Sequence, residues 1–201
     1  MEIDVSKLSK SQVYKLMTSV IVPRPIAWIS TISKDGIPNV APFSYFAGVS
    51  SDPPLLMVSI GSKEEGIKKD TWKNIEETGD FVVNMVTKEL LEKMNLTSAP
   101  FDEDIDEFDI AKLTKKPASV VKAPLIAESP VNIECKKFQI LEIGTMGIIF
   151  GKVLKVHVRD DILNEKGYVD TTKLEIIGRL GGANYCIVSK ENTIELRKPK
   201  L

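Results

Sequence analysis

The stretch RPIAWISTISKDGIPNVAPFSYF, residues 24–46, begins as a β-hairpin and then departs from that pattern. Residues 26–32 are mostly branched or aromatic, which is typical of a strand. Lys34-Asp35-Gly36 predicts the turn, because an Asp-Gly pair tolerates the positive φ angles of tight hairpin turns. The returning strand contains Pro42, which has no N–H for a ladder hydrogen bond. We therefore expect this strand to lie at the edge of a sheet or to carry a bulge.

The rest of the sequence predicts a mostly β protein. The other strands are expected at 39–46, 55–60, 81–86, 131–142 and 145–158, with one or two more within 174–190. Helices are expected near 9–17, over 70–79 with Asp70 or Thr71 as the N-cap, after Thr87, and around 107–113. Strands and helices do not alternate regularly, so a doubly wound parallel sheet is not expected. The prediction is one domain, residues 1–201, built as a mostly β barrel with short helices.

Composition and charge exclude several classes of protein. The 27 basic and 28 acidic residues nearly cancel, and no basic cluster is interleaved with aromatic residues, so a nucleic-acid partner is not expected. No apolar run approaches the roughly 20 residues of a membrane-spanning helix. The densest charge run, residues 101–109, is acidic and is interpreted as a solvated loop or the start of a helix.

The cysteines and the histidine are few. Cys135 and Cys186 are far apart in the sequence, which indicates buried, reduced thiols in a cytoplasmic protein rather than a disulfide or a metal site. His157 is the only histidine, so metal sites built on several histidines are excluded. Since His157 lies in a strand-like stretch, we interpret it as a structural residue in preference to a catalytic one.

Three polar clusters remain as candidates for a binding site. They are Ser30-Thr31, then Asn39 with residues 41–44, and then Ser59 and Ser62 followed by Lys69-Asp70-Thr71. The last triplet begins a predicted helix, whose unpaired N–H groups favour an anion, although Asp70 and Thr71 could serve only as caps. Small residues and an interrupted ladder let a flat ligand approach the backbone of residues 41–44. A flat heterocycle joined to a phosphate, as in flavin mononucleotide (FMN), would use both elements.

Many separated motifs point to one family. They are RPIAWIST at 24–31, NVAPFSYF at 39–46, DPP at 52–54, KDT at 69–71, GxFVVN at 79–84, ESPV at 128–131 and GRLGG at 178–182. In this order they resemble the flavin reductase-like family of FMN-binding split barrels, which includes flavoredoxin. The likeness spans roughly residues 20–186.

The resemblance implies an antiparallel split β-barrel that forms a homodimer and binds FMN near the subunit interface. The cofactor-binding residues it implies are Ser30, Thr31, Asn39, Ala41, Pro42, Phe43, Ser44, Tyr45, Ser59, Lys69, Asp70 and Thr71. Lys69, Asp70 and Thr71 would lie near the phosphate, Ser59 near the ribityl chain, and the others near the ring. No residue is assigned as an acid or a base.

The family resemblance leaves the function open between three alternatives. The first is a reductase that transfers hydride from NADH or NADPH to FMN. The second is a flavoredoxin-like electron carrier that holds FMN tightly and has a protein redox partner. The third is a barrel that has lost redox function and binds flavin or another ligand for storage or assembly.

Overall fold

The structure, a computed structural model, describes residues 1–63 and 66–199. In this part of the chain, strands predominate over short helices. The strands are β1 (Arg24–Pro25), β2 (Ala27–Ile32), β3 (Pro38–Phe43), β4 (Phe46–Ser51), β5 (Pro54–Gly61), β6 (Asp80–Asn84), β7 (Lys115–Lys116), β8 (Leu125–Ile126), β9 (Val131–Ile143), β10 (Met146–Val158), β11 (Ile176–Arg179) and β12 (Tyr185–Val188). The α-helices are α1 (Lys10–Val20), α2 (Asp70–Thr78), α3 (Leu91–Leu96) and α4 (Glu107–Ile110).

One antiparallel sheet of seven strands organises the described residues. Its order is β3-β2-β6-β9-β10-β5-β4, with the long β9 and β10 near its middle. A smaller sheet, β1-β11-β12, and the pair β7-β8 complete the strands. The prediction of a mostly β, antiparallel fold with short helices is confirmed. The single strand expected at 39–46 is wrong, because the chain leaves the sheet after Phe43 and re-enters it at Phe46.

The two edges of this sheet are joined by a very short connection. Strands β3 and β4 lie at opposite edges, and only Ser44 and Tyr45 separate them in the sequence. Three Cα–Cα steps of 3.8 Å span at most about 11 Å, so the sheet has to coil until its edges are neighbours. Among the described residues no ladder joins the two edges, and the sheet is therefore not a closed barrel.

Pro42 lies where the sequence predicts it. Strand β3 pairs only with β2, and Pro42 stands opposite Trp28 in that register. Since the outer side of β3 has no partner strand among the described residues, the missing N–H of Pro42 removes no ladder bond on that side. The expectation of an edge strand is confirmed. The turn before it contains Gly36 at φ 86°, as an Asp-Gly turn predicts.

Helix α2 packs on the sheet through Trp72 and Ile75, which join the main hydrophobic core. It ends at Gly79, whose left-handed conformation (φ 77°) agrees with the predicted terminator. The prediction for its start is wrong, because the N-cap residue is Lys69 rather than Asp70 or Thr71. Within residues 1–63 and 66–199, none of the helices combines the length and apolar character needed to cross a bilayer.

Candidate functional site

The C-terminal end of the edge strand β3 lies between two cavities. One, of about 640 Å³, lies between β3, the start of α2 and the segment 97–102. The other, of about 730 Å³, lies between the same end of β3, helix α1 and the β11–β12 hairpin. The two cavities share Pro42, Phe43 and Ser98, so they form neighbouring parts of one depression. We call them the α2 cavity and the hairpin cavity.

The α2 cavity contains a helix start with the features of an anion site. Among the described residues, no side chain accepts a hydrogen bond from the first turn of α2, so its backbone N–H groups have no side-chain cap there. Asp70 instead pairs with Lys63, at 2.8 Å between Oδ2 and Nζ. Lys69 lines the cavity, and no carboxylate among the described residues forms an ion pair with it. The positive end of the helix dipole and the Lys69 ammonium therefore both favour an anion here.

Asn39 is the centre of a buried polar network behind this cavity. Its Oδ1 accepts hydrogen bonds from the hydroxyls of Thr31 (3.2 Å) and Thr71 (2.8 Å). The Asn74 amide donates to the Thr31 Oγ1 at 3.0 Å, which ties the middle of α2 to β2. The network therefore fixes the start of α2 relative to the edge strand, since Thr71 is on the helix and Asn39 is on β3.

Glu107 closes the other side of the network. Its carboxylate accepts hydrogen bonds from the Asn39 amide (2.8 Å) and from the backbone N–H of Val40 (3.0 Å). Glu107 is only 5% exposed, and burial raises the pKa of its carboxyl above the ordinary value, against the opposing effect of these hydrogen bonds. The interpretation of residues 101–109 as a helix start agrees with the structure, because α4 begins at Glu107, but Glu107 is buried and not solvated.

The structure brings eight of the twelve expected residues to the two cavities. Asn39, Ala41, Pro42, Phe43, Lys69, Asp70 and Thr71 line the α2 cavity, and Ser44 lines the hairpin cavity. Thr31 lies one hydrogen bond behind, through Asn39.

Ser30, Tyr45 and Ser59 line neither cavity. The Ser30 side chain points to the opposite face of β2 from the Thr31 side chain, because successive residues of a strand alternate between its two faces. Its hydroxyl donates to the Pro124 carbonyl and accepts from the Asn84 amide. The backbone N–H of Ser59 donates to the Tyr45 carbonyl at 2.8 Å, where the chain enters β4.

The hairpin cavity depends on a buried arginine that the residue patterns alone did not single out. Arg24 is 5% exposed, and its Nη1 donates to the carbonyls of Thr18 (2.6 Å) and Ile21 (2.9 Å) at the end of α1. Its Nη2 donates to the Leu180 carbonyl (3.1 Å) and its Nε to the Ser44 hydroxyl (3.3 Å). Arg24 therefore joins α1, the β11–β12 hairpin and the end of β3.

Arg24 and Glu107, which were not among the expected site residues, each have a partial signal in the sequence. Arg24 stands before Pro25 at the start of the RPIAWIST motif, yet nothing local shows that a buried cation is needed there. Glu107 stands next to Phe108 in a run that also contains Phe101 and Ile105, and such apolar spacing indicates that part of the run is packed.

His157 takes part in a different buried cluster. Its Nε2 lies 2.5 Å from Oε1 of Glu134, which is fully buried. Glu134 also accepts the backbone N–H groups of Ser119, Val120 and Val121. Burial raises the pKa of Glu134, but the hydrogen bonds from His157 and these three amides outweigh it and lower the pKa to about 2. His157 lines neither cavity, which agrees with the structural interpretation.

Comparisons with known proteins show the family. The family model described as "Flavin reductase like domain" matches residues 17–174, and the chain belongs to this family. An uncharacterized protein of Aquifex aeolicus is 45% identical over 185 residues, covering 92% of this chain and 94% of that protein.

Two solved structures extend the comparison. Nitrilotriacetate monooxygenase component B from Bacillus cereus has a TM-score of 0.92 and 32% identity, covering 98% of each chain. Flavoredoxin of Desulfovibrio vulgaris has a TM-score of 0.78 at 22% identity, covering 98% of this chain and 97% of that one, and this likeness concerns the fold. The recognition of a flavin reductase-like protein from its motifs is confirmed, and a flavin is the cofactor that the family indicates.

Proposed function

We propose that this protein is an FMN-binding oxidoreductase that reduces FMN with NADH or NADPH. One observation supports it most: a helix start without a side-chain cap, together with the cation Lys69, lines the same cavity as the end of the edge strand, residues 41–43. An anion site and the backbone of an edge strand in one cavity of about 640 Å³ suit a ligand that is a phosphate at one end and a flat ring at the other.

The residues present fit FMN. We assign the phosphate to the first turn of α2, with Lys69 supplying the charge and Asp70 and Thr71 supplying backbone N–H groups. We assign the ring to the backbone of residues 41–44, of which Pro42 and Phe43 line both cavities, Ala41 lines the α2 cavity and Ser44 lines the hairpin cavity. In this proposal Thr31 and Asn39 hold the helix start in place, because their side chains are bonded to each other and to Thr71.

Ser30, Tyr45 and Ser59 have supporting positions in this proposal. Ser30 fixes β2 through Asn84 and the Pro124 carbonyl, and Ser59 fixes the entry into β4 through the Tyr45 carbonyl. The open gap between β3 and β4 is then the opening of a split barrel. It would admit the cofactor to the edge strand without breaking a ladder bond.

The chain's own part in the reaction is binding and orientation. When bound, FMN supplies a hydride acceptor and passes the electrons on. Ser44 accepts a hydrogen bond from Arg24 Nε at 3.3 Å, so its own proton remains available to a ligand that reaches the hairpin cavity. We assign no residue as an acid or a base, because the described lining residues include no histidine, and the one buried carboxylate among them, Glu107, is held by Asn39 and Val40.

We also propose that the protein is a cytoplasmic homodimer. Tyr14 and Met17 lie on one face of helix α1, and Ile21 follows at its C-terminal end. These three side chains are 62%, 40% and 47% exposed, respectively. A second copy of the chain would cover this apolar stripe. Sedimentation velocity would measure a dimer, whereas a monomer at micromolar concentration would contradict this part of the proposal. Both cysteines are unpaired, which suits a reducing compartment.

The function is tested by the visible absorption spectrum of the purified protein, recorded without oxygen before and after adding NADH or NADPH. Flavin bands that bleach support the proposal, and the nucleotide that works identifies the donor. Bands that persist with both nucleotides contradict the reductase and favour the carrier with a protein partner. A colourless protein that gains no bands with added FMN contradicts the flavin assignment altogether.

Lys69→Gln is expected to weaken FMN binding about tenfold, because it removes the one full charge assigned to the phosphate. Quenching of FMN fluorescence on titration measures the affinity. Riboflavin, which lacks the phosphate, should bind equally to the variant and the unchanged protein. The matched control is Lys116→Gln on β7, an exposed lysine that lines neither cavity. Equal FMN affinity of Lys69→Gln and Lys116→Gln would contradict the phosphate assignment.

A further inference from the structure

The hairpin cavity is positively charged. Its lining residues come from α1, the segment 24–26, the end of β3, the segment 94–98 and the β11–β12 hairpin. Three of them are cations, Lys15, Arg24 and Arg179, and none of these described lining residues is a carboxylate. Confining three cations around one cavity is unfavourable unless an anion or water compensates them. The charge therefore selects an anionic ligand.

Arg24 supports the cavity and has little capacity left for a ligand. A guanidinium has five N–H donors, and four of those of Arg24 are used by the carbonyls of Thr18, Ile21 and Leu180 and by Ser44. Two of these carbonyls lie at the C-terminal end of α1, where the helix dipole favours a cation. We treat Arg24 as a residue that positions the surrounding elements.

Arg179 is different because most of its donors are uncommitted. Its Nη1 donates to the Tyr185 hydroxyl and its Nη2 to the Gly182 carbonyl at 2.6 Å. The other three of its five donors have no acceptor among residues 1–63 and 66–199. Its guanidinium lies 4.4 Å from the Tyr185 ring centroid, and the two residues face each other across the hairpin register.

Tyr185 adds a further donor beside Arg179. Since its hydroxyl oxygen accepts from Arg179, its own proton is available to a ligand. A guanidinium with free donors next to a hydroxyl matches a carboxylate, whose two oxygens accept a bidentate pair of hydrogen bonds. No residue of the described chain takes that place.

The remainder of the cavity suits a hydrocarbon body. Ile26, Phe43, Met94 and Leu180 give it apolar walls, and the volume of about 730 Å³ is within the range of small-molecule sites. Phe43 also lines the α2 cavity, so a ligand here adjoins the strip of backbone assigned to the flavin ring.

We propose that the hairpin cavity binds a small organic acid, with its carboxylate on Arg179 and Tyr185 and its apolar body against Ile26, Phe43 and Met94. The claim that this acid reacts with the bound flavin rests on the proposed function. The claim that the acid binds rests on the cavity alone. The acid would be the molecule with which the flavin exchanges electrons, because the hairpin cavity adjoins residues 42–44, to which the flavin ring is assigned.

The proposal is tested by isothermal titration calorimetry with benzoate and with its neutral counterpart benzamide. Benzoate is expected to bind one site per chain, and benzamide about tenfold more weakly because it lacks the charge. Arg179→Gln should weaken benzoate about tenfold and leave benzamide unchanged, and Arg179→Lys should restore part of the loss. Tyr185→Phe should weaken benzoate about fivefold, which tests the same site without removing the arginine.

The control is Arg159→Gln, because Arg159 is an exposed arginine paired with Asp161 and lines neither cavity. Equal binding of benzoate and benzamide, or unchanged benzoate binding in both Arg179→Gln and Tyr185→Phe, would overturn the proposal. Displacement of benzoate by ADP at a concentration below that of benzoate would also overturn the proposal. That result would assign the cavity to the phosphates of a dinucleotide. The visible spectrum of each sample shows whether FMN is bound, so failure of the flavin assignment is detected separately from failure of benzoate to bind.

Discussion

Glu134→Ala is expected to lower the free energy of unfolding by about 3–5 kcal/mol, because removing a buried charge leaves its partners unpaired. Glu134 is fully buried and binds the N–H groups of three successive residues, 119–121, together with the His157 ring. Alanine would leave three amides and an imidazole without an acceptor. Urea unfolding at pH 7, followed by circular dichroism, measures the difference.

The same carboxylate predicts a dependence of stability on pH. The pKa of Glu134 is lowered from 4.5 to about 2 in the folded protein, so its ionised form favours folding. Its contribution is present above pH 4.5 and is lost as the pH falls from 4.5 through about 2. The difference between Glu134→Ala and the unchanged protein should therefore be smaller at pH 3 than at pH 7.

The matched control is Glu142→Ala, on the same strand β9. Glu142 is 54% exposed in its side chain and pairs with Lys68 at 2.7 Å, so its loss should cost less than about 1 kcal/mol. A Glu134→Ala protein that unfolds at the same urea concentration as Glu142→Ala would show that the buried cluster does not stabilise the fold.

Glu107→Ala is expected to lower the free energy of unfolding by about 2–4 kcal/mol, since it leaves the Asn39 amide and the Val40 N–H buried without an acceptor. The same variant should weaken FMN binding about tenfold or more, because Asn39 then no longer holds Thr31 and Thr71 in fixed positions. Thermal unfolding and FMN titration measure the two effects.

The pH dependence of Glu107 has the opposite sign to that of Glu134. Burial raises the pKa of Glu107, so the folded protein retains a proton that the unfolded chain has already lost. This carboxyl therefore decreases stability as the pH rises from 4.5 through its raised folded value. Glu107→Ala should remove that decrease.

Asp109→Ala, on the same helix α4, is the control for Glu107. Asp109 is 74% exposed in its side chain and pairs with Lys115 at 2.8 Å, so the substitution should change neither the FMN affinity nor the unfolding free energy by more than about 1 kcal/mol. If Glu107→Ala binds FMN as tightly as Asp109→Ala does, the network around Asn39 has no part in the site.

Local sequence signals predict much of the fold because they act within a few residues. The Asp-Gly turn at Gly36, the edge position of Pro42 and the end of α2 at Gly79 follow from backbone chemistry alone. The break at Ser44 does not, because the connection between opposite sheet edges depends on how the whole sheet coils.

The candidate site was predicted less completely, for a similar reason. Ser30 and Thr31 are neighbours in the sequence, but strand alternation places their side chains on opposite faces, and only Thr31 joins the Asn39 network. The N-cap at Lys69 was missed because Asp70 is paired with Lys63. The burial of Arg24 and Glu107 depends on partners about 156 and 68 residues away in the chain.

The two-residue connection Ser44-Tyr45 has a consequence for how the protein folds. The connection holds the ends of the two edge strands within about 11 Å of each other at every stage, but the surroundings of residues 41–44 also come from α1, α2 and the β11–β12 hairpin. The backbone proposed to bind the ring therefore acquires its full surroundings only when these distant elements have packed. A partly assembled chain would then present no complete flavin site. In the proposed function, FMN would bind the finished fold and not its precursors. The supply of FMN in the cell would therefore set the fraction of molecules that stay folded. It would not set the rate at which they fold.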